Sequence, residues 1–299
     1  MTVETTDTET AVESKLPSQS CDSHLHVFGP PDRFPGSADR TYAPTEMPLA
    51  TYEAMAASLG LDRVVFVQPS AYGTDNRCQL EALATRPSTA RAVIVIADTV
   101  SPSDLAELDE MGVRGVRLNL MSPRLTDSAA VRAKLDRVAS RIADLGWHIQ
   151  VYADLDMVGS VAPLLKDLPV PVVFDHMGGA KQHEGVGAGG FVALLELLAT
   201  GRCWVKLSGA DIVTHEHLDF SGATPFARAL LAANPDRLVW GSDWPHLVHQ
   251  SGRSGDDAPK AAYRPVDETA LLAALRDWTG GDQQLRKILV DNPQTLYRF

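Results

Sequence analysis

The chain has 299 residues, 44% of them hydrophobic and 22% charged, with a formal net charge of −11. These are the proportions of a soluble globular protein, and the length admits one large domain or two ordinary ones. The negative charge argues against nucleic acid or an anionic membrane as partner, since neither association would gain from counterion release. A small anionic ligand stays open, provided local arginines receive it.

Residues 1–19 are rich in Thr, Glu and Ser, with no basic start and no apolar stretch of signal-peptide length. A disordered leader is expected there, with the folded domain over 20–299. No run of 18 apolar residues occurs, so no membrane span is expected. Cys21, Cys78 and Cys203 are odd in number and widely spaced. They read as reduced thiols in a cytoplasmic protein. Oligomeric state is not legible at this level.

The first apolar run, Cys21-Asp22-Ser23-His24-Leu25-His26-Val27-Phe28, carries two histidines two residues apart. On a strand they share a face while Leu25 and Val27 take the other. Such a pair suits a shared metal ion or a grip on substrate; a chance pair at a strand end is the alternative. A Pro/Gly-rich segment, 29–48, follows without helical period and carries Arg33, Arg40 and Tyr42. At about 20 residues it is long enough to read as functional.

From there a rhythm repeats. Helices are expected over 49–59, 75–86, 102–111, 127–145, 158–168, 190–200, 226–233, 268–278 and 283–290. Strands are expected over 63–69, 92–97, 115–120, 147–152, 170–176, 203–208 and 238–243. With the first strand this makes eight, alternating with helices as in a parallel sheet. A single closed (β/α)8 TIM barrel, typically about 250 residues, fits the length. A doubly wound open sheet is the alternative, but no GxGxxG follows an early strand.

Barrel chemistry is built at the C-terminal strand ends. Those ends offer His24 and His26, then Gln68 and Ser70, then Arg117 and Asn119, Tyr152, His176, Lys206 with Ser208, and finally Asp243. His24, His26, His176 and Asp243 together make a fair ligand set for one divalent ion with a position left for water. Asp243 would accept that water's proton. A metal-free version, with Asp243 alone as base and the histidines bonding a substrate carbonyl, is equally consistent with the residues. Arg117, facing into a barrel, suits a bidentate carboxylate or an internal ion pair, and Arg124 stands on the same rim. Tyr42, Ser70 and Tyr152 are further donors. Lys206 reads as the partner of a barrel acid rather than a Schiff-base nucleophile. His148 lies at the structural end of its strand, and His246 lies three residues after Asp243.

The motifs Asp22-Ser23-His24-Leu25-His26, Phe174-Asp175-His176, Trp240-Gly241-Ser242-Asp243-Trp244-Pro245 and Asp291-Asn292-Pro293 resemble the amidohydrolase superfamily, in its amidohydrolase-2 branch. Gln68-Pro69-Ser70 and Gly115-Val116-Arg117-Leu118-Asn119 carry a likeness within it to 2-pyrone-4,6-dicarboxylate lactonases and related lactone hydrolases. The resemblance implies hydrolysis of a small anionic lactone in aromatic or sugar-acid catabolism. Asp243 would activate water, and His24, His26 and His176 would polarise the carbonyl directly or through one metal ion, zinc first among the choices. Tyr42, Ser70, Arg117, Arg124 and Tyr152 would bind substrate. The branch also implies two rivals, a metal-dependent decarboxylase and a lactone isomerase. Two departures stand out. The superfamily's bridging lysine is absent from the middle strands, which argues against two metals. No arginine follows the seventh strand, where the chain reads Ser208-Gly209-Ala210-Asp211-Ile212.

Overall fold

The computed structural model describes residues 15–121, 128–248 and 254–299. Eight strands run β1 (Cys21–Leu25), β2 (Arg63–Val67), β3 (Ala90–Ile94), β4 (Val113–Asn119), β5 (His148–Tyr152), β6 (Val172–Phe174), β7 (Cys203–Leu207) and β8 (Leu238–Trp240). They lie in sequence order in one sheet, each parallel to the next. The helices between them are α1 (Leu49–Leu59), α2 (Arg77–Ala84), α3 (Pro102–Met111), α4 (Ser128–Ile142), α5 (Leu155–Leu165), α6 (Gly189–Ala199), α7 (Ala210–Thr214) and α8 (Thr224–Ala233). After β8 come α9 (Glu268–Thr279), α10 (Asp282–Arg286) and α11 (Asn292–Tyr297). The fold is the expected (β/α)8 barrel.

Period-two alternation builds its two layers. Val64, Phe66, Ile149, Val151, Val205 and Leu207 join the large cluster under the helices. Their neighbours Val65, Val67, Val173, Trp204 and Val239 form a second cluster with Leu296 and Tyr297 from α11. Opposite faces of one strand point to opposite sides of the sheet, so the second cluster fills the barrel and α11 plugs it. His148 sits in that plug, its ring 5.5 Å from Tyr297, and burial pushes it down to about 3. It is structural, as expected.

The seam between β8 and β1 is closed by residues beyond β8. Asp243 N donates to His24 O at 2.9 Å and His26 N to Trp244 O at 2.8 Å. Gly241 makes this approach possible: a Cβ there would stand 2.6 Å from His24 Cβ and 2.7 Å from its backbone nitrogen. Gly241→Ala should therefore cost about 1–3 kcal/mol by overpacking, read as a lower urea midpoint. An unchanged midpoint would mean the seam has slack.

Several expected boundaries shift. Strands expected over 170–176 and 238–243 end at Phe174 and Trp240, because His176 (φ 51°) and Asp243 (φ 66°) are left-handed and no extended strand continues through such residues. The helix expected from 158 begins at Leu155, where Asp154 accepts a hydrogen bond from Met157 N. The helix expected over 283–290 is α10 followed by a π-turn at Lys287–Asp291. Of the leader, residues 1–14 lie outside the described residues; Leu16 is buried and Gln19 N bonds Asp62. All three cysteines are free and buried. Among the described residues no helix is long and apolar enough to cross a membrane.

Two long segments lie over the mouth. Residues 29–48, after β1, are laced to residues 254–267, after β8: Ala43 N donates to Pro259 O, Ala261 N to Ala43 O, and Gly255 N to Arg40 O. Tyr263 OH adds a bond to Thr45 O at 2.6 Å, and Arg40 pairs with Asp256 at 2.9 Å.

Candidate active site

At the C-terminal mouth the expected quartet converges. His24 Nε2 and His26 Nε2 are 3.4 Å apart, as a shared strand face requires. Asp243 Oδ1 lies 3.6 Å from His24 Nε2, 3.7 Å from His26 Nε2 and 3.8 Å from His176 Nε2. All four residues are buried.

A hydrogen bond sets the tautomer of His26. His26 Nδ1 is 2.7 Å from Val67 O; a carbonyl only accepts, so the proton is on Nδ1 and Nε2 is bare. His24 Nδ1 stands between the Asp175 carboxylate at 3.2 Å and the Lys206 ammonium at 3.3 Å. His176 Nδ1 is held by Ser208 Oγ at 3.0 Å. Burial, reinforced by Lys206, holds His24 well below its usual range, and burial with Arg117 pushes His26 down to about 3. The bare Nε2 of His26 thus faces the Asp243 carboxylate oxygen, and a cation or a proton between them would satisfy both. Adjacent donors on a tetrahedral zinc ion stand about 3.3–3.4 Å apart, given bonds of about 2.0–2.1 Å. The separations of 3.4–3.8 Å found here lie at that spacing or a few tenths of an ångström above it, and His24, His26 and Asp243 form a cluster able to hold an ion.

Beneath the quartet lies a buried charge network built on Asp175. Its carboxylate is 3.4 Å from Arg117 Nε and 3.6 Å from Lys206 Nζ, and it accepts from Gln150 Nε2 at 3.1 Å. Burial pushes Asp175 up, but His24, Lys206 and Arg117 outweigh it and hold the carboxyl well below its usual range. Lys206, fully buried, also donates to Ser23 O at 2.9 Å and Gln150 Oε1 at 2.7 Å. Burial brings it down to about 8, against the pull of Asp175. The barrel acid expected for Lys206 is therefore Asp175.

A second carboxylate, Asp22, ties the first strand to the last. It accepts from His24 N at 3.1 Å, Ser242 N at 2.9 Å, Ser242 Oγ at 2.6 Å and Tyr52 OH at 3.1 Å. The positions of His24 and Asp243 are thereby set by one buried group between them.

The rim holds most of the expected substrate contacts. Arg117 donates to Gln68 O at 3.1 Å and its guanidinium stands 5.7 Å from the Tyr152 ring, while the Tyr152 ring lies 5.6 Å from His176. Tyr42 is buried; burial raises its hydroxyl, with a hydrogen bond to Ser70 opposing. Asn119, expected beside Arg117, folds back on its own chain and accepts from Met121 N at 2.9 Å. Arg124 lies outside the described residues. His246 is buried and faces Glu268 at 3.3 Å, away from the quartet's own contacts.

Four groups around the site were not singled out by the sequence: Asp22, Gln150, Asp175 and the Arg264–Asp211 pair. For Asp22 and Asp175 a signal existed, since each is a buried-strand acid one or two residues from a site histidine. Arg264 and Asp211 are separated by 53 positions, and no local pattern joins them.

The amidohydrolase family model matches residues 21–299. A 4-sulfomuconolactone hydrolase from Hydrogenophaga intermedia is 33% identical over 94% of this chain and 89% of its own length. A 2-pyrone-4,6-dicarboxylate hydrolase from Comamonas testosteroni is 32% identical over 95% of this chain and 91% of its own. The crystal structure of a candidate 2-pyrone-4,6-dicarboxylic acid hydrolase from Pseudomonas putida superposes with a TM-score of 0.77 at 32% identity, covering 95% of this chain and 98% of that one.

Proposed function

The chain belongs to the amidohydrolase family, and from there we propose that it hydrolyses the ring ester of a small anionic lactone. The observation that carries this reading is the convergence of His24, His26 and His176 Nε2 on Asp243 Oδ1 within 3.6–3.8 Å. The lactone itself is suggested by relatives named for sulfomuconolactone and pyrone dicarboxylate hydrolysis.

In this reading Asp243 takes a proton from water, whose oxygen adds to the lactone carbonyl carbon. The ring C–O bond then breaks, and the proton passes from Asp243 to the departing ring oxygen. The imidazole cluster stabilises the negative charge that develops on the carbonyl oxygen. Arg117, with Tyr42, Ser70 and Tyr152 and with Arg124 from the segment after β4, receives the substrate's carboxylate or sulfonate. The donor set fits one divalent ion, zinc by its nitrogen and oxygen ligands, held by His24, His26, His176 and Asp243. When bound, such an ion acidifies water and polarises a carbonyl.

A panel of acidic lactones, assayed with and without a chelator and with metal content measured on the same sample, tests this. Ring-opened acid with proton release is expected. Carbon dioxide would indicate decarboxylation instead, and a rearranged ring without added water, seen by NMR, would indicate isomerisation. The protein is expected to hold about one equivalent of divalent ion, lost in His24→Ala. Full occupancy in that variant would refute the ligand assignment.

Arg117→Met is expected to raise KM for the best acidic lactone about 10- to 150-fold, the worth of a hydrogen bond to a charged group. Since Arg117 also touches Asp175, kcat and Tm are followed in parallel. A KM that does not move would show that Arg117 serves the network alone.

A further inference from the structure

Two arginines from opposite sides of the barrel, Arg117 of β4 and Arg264 beyond β8, are not equivalent in charge. Arg117 of β4 and Lys206 of β7 share one carboxylate, Asp175, so among the described residues that network carries one positive charge in excess. On the β8 side, four strands around the barrel, Arg264 meets Asp211 one to one at 2.6 Å. The Asp211 side chain is fully buried, and the Arg264 side chain is 13% exposed.

This second pair is bound to the site from both flanks. Asp211 lies in α7, two residues after Gly209, and a Cβ on Gly209 would stand 3.0 Å from the His176 ring. Arg264 N donates to His246 O at 2.8 Å, and His246 N in turn donates to Asp243 O at 2.8 Å. Of the five guanidinium donors, Nε donates to Asp211, Nη2 is buried 2.6 Å from the same oxygen without making a hydrogen bond, and Nη1 reaches Leu247 O. The second N–H of Nη1 remains, on a side chain whose charge is already matched.

We propose that Arg264 is a specificity-determining residue that donates to a neutral oxygen of the substrate, and that Asp211 behind it excludes a second anion from that side. Given the lactonase reading, on which this rests, the preferred lactone carries one anionic group, taken at Arg117, and a hydroxyl or carbonyl oxygen across the ring from it. A dianion would place its second charge where the guanidinium is already neutralised, and would have to compete with a buried carboxylate in direct contact.

Three five-carbon probes that differ only at the far end separate the cases: valerate, 5-hydroxyvalerate and glutarate, titrated calorimetrically into the whole protein. The expected order is 5-hydroxyvalerate tightest, with glutarate no better than valerate. Asp211→Asn, which keeps shape and removes charge, should tighten glutarate about tenfold or more and leave 5-hydroxyvalerate within about threefold. Arg264→Met should bring 5-hydroxyvalerate down to valerate, a result that does not depend on the Asp211 variant folding. Glutarate bound tightest by the unmodified protein would overturn the proposal, as would equal affinities for all three, or a uniform loss in both variants. Binding is read without turnover, so these outcomes stand apart from the lactone panel. An absence of hydrolysis there would remove the reaction while leaving the anion count of the site decided.

Discussion

Asp243→Asn is expected to lower kcat for lactone hydrolysis by about 10³-fold, in the range of 10²–10⁴ that a positioned general base contributes. The amide keeps the size of the side chain, and the backbone tie from Asp243 N to His24 O at 2.9 Å does not involve the carboxylate. What is lost is an acceptor facing three ring nitrogens and a group able to carry a proton. The same sample should be measured for bound divalent ion, because the carboxylate is also a proposed ligand: loss of rate with the ion retained isolates the proton-transfer role. KM should stay within a few-fold, since the proposed seat of the substrate's anion is Arg117 and not Asp243. Rates close to the unmodified enzyme in Asp243→Asn would end the proposed mechanism.

Asp175→Asn is expected to destabilise the fold by about 3–5 kcal/mol, the usual result of removing one partner from a buried ionic group. Asp175 faces Arg117 at 3.4 Å, Lys206 at 3.6 Å and His24 at 3.2 Å, so its loss takes from Arg117 and Lys206 the carboxylate they share inside the barrel. Urea unfolding provides the measure, and the acid limb of stability provides a second one. The carboxyl is held well below its usual range in the folded protein by His24, Lys206 and Arg117, against the upward push of burial. Its stabilisation is therefore complete above the unfolded value of about 3.9 and is lost as pH falls from there toward the lower folded value. Asp175→Asn should flatten that part of the profile. A urea midpoint within error of the unmodified protein would show that Lys206 is neutral in the fold or finds its compensation elsewhere.

The barrel itself was legible because buried parallel strands read as short apolar runs at regular spacing. The quartet was legible because barrel chemistry has a known address, the strand ends, and His24, His26, His176 and Asp243 all stand there. The exact ends of β6 and β8 were not, since the turn into left-handed backbone at His176 and Asp243 is imposed by contacts with β1 and β7 rather than by local preference. Lys206 shows the intermediate case. An inward lysine demands an acid, but which acid depends on the register that sets β7 beside β6. Asp211 and Arg264 were out of reach for a plainer reason: α7 has only five residues, too few for a periodic signal, and the pair joins two connecting segments. The resemblance to relatives with an arginine after the seventh strand pointed at that place, and what stands there is an acid with an arginine brought in from elsewhere.

The lacing of residues 29–48 to residues 254–267 bears on how this scaffold can be re-engineered. Each segment supplies backbone partners that the other needs, at Ala43, Pro259, Ala261, Gly255 and Arg40, and between them they carry Tyr42 and Arg264. Grafting either one from a relative would leave unmatched donors and acceptors at the mouth, each a liability where water is excluded. Chimeras between members of the family should therefore exchange the two segments together, as a single cassette drawn from opposite ends of the chain.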